Sequence, residues 1–240
     1  MAVYVMSDLH GDYEGYRSIL EQIHFSDTDE LYIDGDVIDR GTDGIKILKH
    51  MMLYPNIYPI IGNHEYAFLQ VLDFVMQEIT EESIDRIDEK MVQNIVEYQS
   101  IGGQVTLDEF QKLSREEQYD IRDYLEEFSA YEEVSVNGRD FVIVHAGLMN
   151  FRQERSLEDY DLYELVFTAP NYEEVYFENK YLVTGHLPTS AIPGAKPFEI
   201  YMANNHIAID CAAGFDGRVG CVRLDDFEVF YSEVKTKSIL

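Results

Sequence analysis

Five short segments carry side chains of the kind that bind metal ions: Asp8-Leu9-His10-Gly11, Gly35-Asp36-Val37-Ile38-Asp39-Arg40-Gly41, Gly62-Asn63-His64-Glu65, His145-Ala146-Gly147 and Gly185-His186. Together they supply six oxygen and nitrogen donors: Asp8, His10, Asp36, Asn63, His145 and His186. That number suffices for two divalent cations with one carboxylate shared between them. A pair of metals about 3.5–4 Å apart is a general device for in-line displacement at phosphorus. The set therefore points to metal-dependent phosphoester chemistry. No cysteine is among the donors, so Mn²⁺, Fe or Zn²⁺ would each suit them.

The residue types divide the work. Asp8 and His10 stand two apart after an apolar run, and strand alternation predicts that both point to one side and reach one cation. Asp36 has two carboxylate oxygens and can bridge. Arg40 offers a planar fork that matches phosphate oxygens. Asn63 brings a hard carbonyl oxygen. His64 beside it is free for general acid work if a carboxylate orients it, and Asp39 is the available one. His145 and His186 each end an apolar run. Singly, each of these signals is weak, since an isolated histidine is more often a satisfied core or surface residue. Their joint occurrence at expected strand ends carries the reading.

Stepping outward, the pattern predicts the elements that must position them. Short apolar runs at 3–7, 31–33 and 57–61 end at the first three motifs, with helices expected at 12–23 and 43–52 between them. Asp12 is the expected cap of the first helix. Strand, polar loop and helix repeat three times, an α/β pattern with the candidate ligands at strand carboxyl ends. Residues 65–128 interrupt it with helical spacing, and further helices are expected at 82–99 and 115–127. Strands resume at 131–136 and 140–144 around Asn137-Gly138, a strong hairpin signal. A helix at 156–167, a strand at 181–184 and strands at 198–202, 206–210, 219–224 and 227–233 complete the chain. No repeat or linker interrupts it, so one domain over 1–240 is expected, with a helical insertion at about 65–128.

Composition narrows the partners. The formal net charge of −28 repels nucleic-acid polymers and anionic membranes. It also repels phosphorylated substrates, so the site must be a local positive island, which bound cations supply. No run of about 18 apolar residues suggests a transmembrane helix. The start, MAVYVMSDLHGD, lacks a basic signal-peptide region. Cys211 and Cys221 are too few for a disulfide framework and are expected to be small buried hydrophobes in strand-like runs. The expected compartment is the cytoplasm.

The motif set, in this order from about residue 3 to 232, resembles the calcineurin-like metallophosphoesterase superfamily. Arg40 directly after Asp39 resembles its phosphoprotein phosphatase branch. Gly102-Gly103-x-x-Thr106-Leu107 and Gly185-His186-Leu187-Pro188-Thr189 resemble the small bacterial and phage-type members. Those include serine/threonine protein phosphatases and diadenosine tetraphosphate hydrolases. The resemblance implies the metallo-dependent phosphatase fold, a central β-sandwich flanked by helices (α-β-β-α). It implies two divalent metal ions, Mn²⁺ first, with Asp8 and His10 on one, Asp36 bridging, and Asn63, His145 and His186 on the other. It makes His64 with Asp39 the leaving-group acid, Arg40 with Asn63 the phosphate-binding residues, and metal-activated water the nucleophile. The implied substrate is a phosphorylated protein or, alternatively, a small phosphoester such as a dinucleoside polyphosphate. Three departures stand out. Ser7 precedes Asp8 in place of Gly, and Ile38 replaces Val. Ala169 in Leu165-Val166-Phe167-Thr168-Ala169 stands where the family carries a second phosphate-gripping Arg. Arg152 and Arg155 are the nearby candidates to replace it.

Overall fold

The computed structural model describes residues 1–77 and 89–234. Two five-stranded sheets lie face to face. The first runs in the order β10-β9-β1-β2-β3, built from β1 (Val3–Met6), β2 (Glu30–Asp34), β3 (Ile57–Ile60), β9 (Gly220–Arg223) and β10 (Val229–Tyr231). The second runs β4-β5-β6-β8-β7, from β4 (Glu132–Val136), β5 (Arg139–Ile143), β6 (Lys180–Thr184), β7 (Tyr201–Ala203) and β8 (His206–Ala208). In the first sheet β1, β2 and β3 are parallel, and in the second β5, β6 and β8 are parallel.

The period of two sorts the side chains. Val3 and Val5 of β1 enter the layer between the sheets with Phe141 and Ile143 of β5, Val183 and Ile207. Tyr4 and Met6 face the other way, under the helices. Val142 and Val144 likewise face outward, onto Leu148, Leu165 and Tyr176. Strands buried on both faces read as continuous apolar runs, which is why they were visible in the sequence. The layers are helix, sheet, sheet and helix, as expected of the metallo-dependent phosphatase fold.

Helices α1 (Tyr13–Gln22), α2 (Gly44–Met51) and α3 (Asn63–Val75) follow the first three strands. Asp12 caps α1, its carboxylate accepting from the Gly15 amide at 3.0 Å. The stretch expected to be helical from 82 lies outside the described residues as far as 88. From there α4 (Glu89–Tyr98), a π-turn (Gln99–Gly103), α5 (Gln104–Phe110) and α6 (Arg115–Glu126) follow. These helices share the main core: Phe68 of α3 stacks on Tyr98 at 5.5 Å and meets Phe110 edge-on at 5.4 Å.

Three expectations need correction. The helix expected at 156–167 is a 3₁₀ turn (Leu157–Asp159) and a short α7 (Leu162–Val166). Tyr160 is extended between them (φ −84, ψ 134), and Asp161 starts the second piece with its own cap on the Glu164 amide. The strand expected at 198–202 begins only at Tyr201, because Phe198 adopts left-handed backbone at φ 62. Cys211 lies past β8 rather than in a strand, whereas Cys221 is in β9; both are buried, free thiols. Among the described residues no helix is long and apolar enough to cross a membrane.

Candidate active site

The parallel strands of both sheets end at one place, and every motif lies just beyond such an end: Asp8 after β1, Asp36 after β2, Asn63 after β3, His145 after β5 and His186 after β6. Strand alternation does not aim Asp8 and His10. Both lie past β1 with left-handed backbone, at φ 52 and 43. Asp36, Asp39, Arg40 and His186 share that conformation, at φ 54, 71, 66 and 65. It costs a residue with a Cβ about 1–2 kcal/mol, and such strain clusters at functional sites.

Strain of this kind persists because the loops are pinned. The amides of Asp8, His10 and Gly11 donate to the carbonyls of Gly35, Asp36 and Val37 at 2.9–3.0 Å. The wholly buried Glu65 carboxylate accepts from the backbone amides of Asp36, Val37, Ile38 and Gly62 at 2.8–3.2 Å. Gly62 and Gly185 let backbone approach the acids. A Cβ on Gly62 would collide with the Asp36 carboxylate, and one on Gly185 with that of Asp8.

Two groups of donors meet at Asp36. His10, Asp36 and His64 form one, and Asp36, His145 and His186 the other; in each the donor atoms lie within 4.8 Å of one another. Asp36 Oδ2 stands 3.6 Å from His10 Nε2, while Oδ1 stands 3.3 Å from His145 Nε2. Asn63 Oδ1 joins the second group, 3.1 Å from His145 Nε2 and 2.9 Å from His186 Nδ1. His145 Nδ1–H donates to the Asp34 carbonyl at 2.8 Å, so Nε2 is the ring atom turned toward these oxygens. Several oxygen and nitrogen atoms of metal-binding type thus converge. Asp8 Oδ2 accepts from the His186 amide at 3.1 Å, but Oδ1 is buried without a partner. This donor set fits divalent cations, which satisfy such convergence better than protons do.

The charge states of His10 and His186 point the same way. Burial depresses His10, which lies well below the ordinary histidine value, and it brings His186 down to about 4, with His145 adding to the effect. Both rings are therefore neutral at pH 7, the form that can bind a cation. Burial opposes charge on His145 too, but Asp36, Asp8 and Asp34 outweigh it and raise this ring well above the usual range. Burial would raise Asp36, yet His145, His64 and His10 hold it well below a normal carboxylate. Asp8 and Asp34 are both pushed up to about 7, chiefly by burial.

His64 and Asp39 come together. His64 Nδ1–H donates to Asp39 Oδ2 at 2.7 Å, and both side chains are buried. Burial disfavours the charged ring, but Asp36 and Asp39 outweigh it, so the pKa is raised. The other Asp39 oxygen accepts from the Tyr98 and Thr106 hydroxyls, each at 2.6 Å. Thr106 Oγ1 also accepts from the Asp39 amide at 3.0 Å, and the Gly102 carbonyl accepts from the Arg40 amide at 3.1 Å. The helical insertion therefore grips the Asp39-Arg40 pair through side chain and backbone.

Arg40 spans the mouth of the first group. Its two terminal nitrogens donate to His10 Nε2 at 2.9 Å and His64 Nε2 at 3.2 Å, and its guanidinium stacks on Phe215 at 4.3 Å. At the position of the family's second Arg, Ala169 is exposed. Arg155 is held elsewhere by Glu164 at 2.6 Å and by the Met149 carbonyl at 3.0 Å, and Arg152 is exposed.

The sequence reading assigned no role to Glu65, Tyr98, Thr106, Asp34, Asp210 or Phe215. Glu65 was legible as an acid in the first turn of a helix. Asp210 ends the apolar run Ile207-Ala208-Ile209, the same signal that singled out His145; burial, then Asp8, raises its pKa well above normal. Tyr98 and Phe215 had no local signal.

A sequence model of the calcineurin-like phosphoesterases matches residues 1–216. A symmetrical bis(5'-nucleosyl)-tetraphosphatase of Buchnera aphidicola is 38% identical over 73 residues, 30% of this chain and 27% of that protein. The enzyme of the same name from Erwinia tasmaniensis is 28% identical over 116 residues, 47% of this chain and 42% of that protein. The matched stretches thus span well under two thirds of these relatives. A crystal structure described provisionally as a diadenosine tetraphosphatase superposes with a TM-score of 0.63 at 16% identity, covering 96% of this chain and 92% of that one.

Proposed function

The chain belongs to the calcineurin-like phosphoesterase family, and from that premise we propose that it is a two-metal phosphoesterase acting on small nucleotides of the dinucleoside polyphosphate kind. The observation that carries the chemistry is Asp36, whose two oxygens face two separate donor groups. Asp8, His10 and Asp36 would hold one cation; Asp36, Asn63, His145 and His186 the other. Bound divalent cations, Mn²⁺ first among those the donors suit, supply charge neutralisation at phosphorus and activation of water.

The chain's own residues do the rest. With His10 on a cation and His64 Nε2 protonated, neither ring would accept from Arg40, and its fork would be free to donate to phosphate oxygens, steadied on the Phe215 ring. The Asn63 amide N–H₂ is left for the phosphate while its oxygen faces the histidines. His64 keeps its Nδ1–H on Asp39 and gives the proton on Nε2 to the departing oxygen. One P–O bond forms to water, one breaks to the leaving group, and no covalent phosphoenzyme is formed. The core shared with the helical insertion supports reading the chain as one domain. The free buried thiols Cys211 and Cys221 support a reducing compartment, the cytoplasm.

The substrate class rests on the relatives. The motifs alone rank a serine/threonine protein phosphatase first and a dinucleoside polyphosphate hydrolase second. The curated relatives named as tetraphosphatases favour the second. Turnover of diadenosine tetraphosphate and of a phosphoserine peptide by the Mn²⁺-loaded protein tests this. A higher kcat/KM for the dinucleotide is expected, and turnover confined to the peptide would reverse the ranking. Asp36→Asn should remove hydrolysis of both and lower the bound Mn²⁺. Full activity in that variant would sink the two-metal reading.

A further inference from the structure

Helix α3 carries His64 in its first turn and Tyr66 and Gln70 further along. Tyr66 and Gln70 face a cavity of about 460 Å³ whose other walls include Asn94 and Tyr98 of the insertion and Tyr163 and Phe167 of the α7 segment. Its volume is in the range of small-molecule sites. The cavity borders the proton donor's support, since Tyr98 bonds Asp39 and Asp39 bonds His64.

The lining is aromatic and open to solvent. Phe167 meets Tyr66 edge-on at 5.7 Å and lies 4.7 Å from Tyr163. Tyr163 is 54% exposed and Phe167 36%. Exposed aromatic rings grouped at a concave site mark binding rather than packing. Flat rings suit a flat ligand, and every nucleobase has a π-face to stack. Asn94 and Gln70 carry amides that make no hydrogen bond among the described residues, so their donors and acceptors are available to a base edge. Lys90 and Glu97 both line this wall, so it holds no excess positive charge for a phosphate, and the anionic part of a ligand is left to Arg40 and the cations.

We propose that this cavity is a nucleobase subsite, seating the base of the nucleotide that leaves past His64 between the α7 aromatics and the insertion. It deepens the nucleotide reading and rests on it. A phosphorylated serine or threonine has no ring to place there.

Titration calorimetry on the Mn²⁺-loaded protein tests the subsite without turnover. AMP and ribose 5-phosphate carry the same phosphate and differ by the base. AMP should bind at least about tenfold more tightly, within the range of one stacked base. That ratio should fall toward one in Phe167→Ala and in Tyr163→Ala. Asn94→Leu, on an exposed helix, gives a second route should either aromatic variant fail to fold, and it should reduce the ratio as well. A ratio near one in the wild type, or a ratio untouched in the folded variants, overturns the subsite. So does O-phosphotyrosine gaining as much over phosphoserine as AMP gains over ribose 5-phosphate, since the cavity would then read any aromatic ring. Failure of the phosphoesterase reading shows separately, as a lack of Mn²⁺-dependent hydrolysis of any phosphoester.

Discussion

The strand-end cradle and the helical insertion meet at Asp39, and they are built on opposite principles. The cradle is made of loops a few residues long, held in strained left-handed backbone and pinned by Glu65 and by amide-to-carbonyl bonds between neighbouring loops. Its acids and histidines have little freedom, which suits groups that must meet a small cation. The insertion is made of helices whose side chains reach the site from outside, with Tyr98 and Thr106 on Asp39 and the Gly102 carbonyl on Arg40. On the proposed reading, the difference would mean that reaction and substrate are set by different parts of the chain. The cradle would define where phosphorus reacts, and the insertion, which holds Asp39 and through it His64, would steady the proton donor.

The largest expected effect tests that the proton path runs through the junction. His64→Asn should lower kcat by about 10²–10⁴-fold, the usual weight of a positioned general acid. The loss should shrink for an aryl phosphate whose leaving group needs no proton. An equal loss on both substrates would mean that His64 serves binding or the cradle instead. A smaller effect probes the insertion's hold on the same pair. Tyr98→Phe removes one of two hydroxyls from Asp39 and should lower kcat by about 10-fold, at the low end for a supporting partner in a metal site. Bound Mn²⁺ should be unchanged. Loss of metal in that variant would erase the division between the two regions.

The smallest effect on activity is expected at a buried histidine outside both regions. His206 on β8 shares a hydrogen bond with Thr184 Oγ1 at 2.9 Å and stacks on Tyr172 at 4.7 Å. Burial lowers its pKa to about 4. An unfolded histidine titrates near 6.5. Above that pH the ring is neutral in both states. As pH falls from about 6.5 to 4 the unfolded chain takes a proton that the native ring refuses, so stability drops by up to about 1.4 kcal/mol per pH unit. Urea midpoints against pH should show this loss, and His206→Gln should make it shallower, His10 and His186 still contributing with the same sign, while hydrolysis at neutral pH persists. A wild-type profile flat across that window would place the acid sensitivity elsewhere.

Legibility followed range along the chain. Asp8, His10, Asp36, Asp39, Arg40, Asn63, His64, His145 and His186 were visible because each follows an apolar run or sits in a short motif, and the structure gathers them at one end of the two sheets. The reason assigned to Asp8 and His10 was mistaken, since left-handed loop backbone rather than strand alternation turns them inward. The helix expected at 156–167 broke at Tyr160 because Asp161 starts a new one, a competition between a local cap and a continuous apolar pattern. Tyr98 and Phe215 could not be found from their neighbours, because their partners Asp39 and Arg40 are remote in sequence. The question left at Ala169 was answered for Arg155 by an ion pair, with Glu164, that only packing reveals.

By itself the sequence determined the α/β layering and which residue types stand at strand ends, because both are written in a period of two and in motifs a few residues long. Only the tertiary structure decided that Asp36 faces two donor groups, that the insertion holds Asp39, and that an aromatic cavity opens beside Tyr98. Each of those depends on side chains tens of residues apart arriving within hydrogen-bond or van der Waals distance, and no local spacing encodes that meeting.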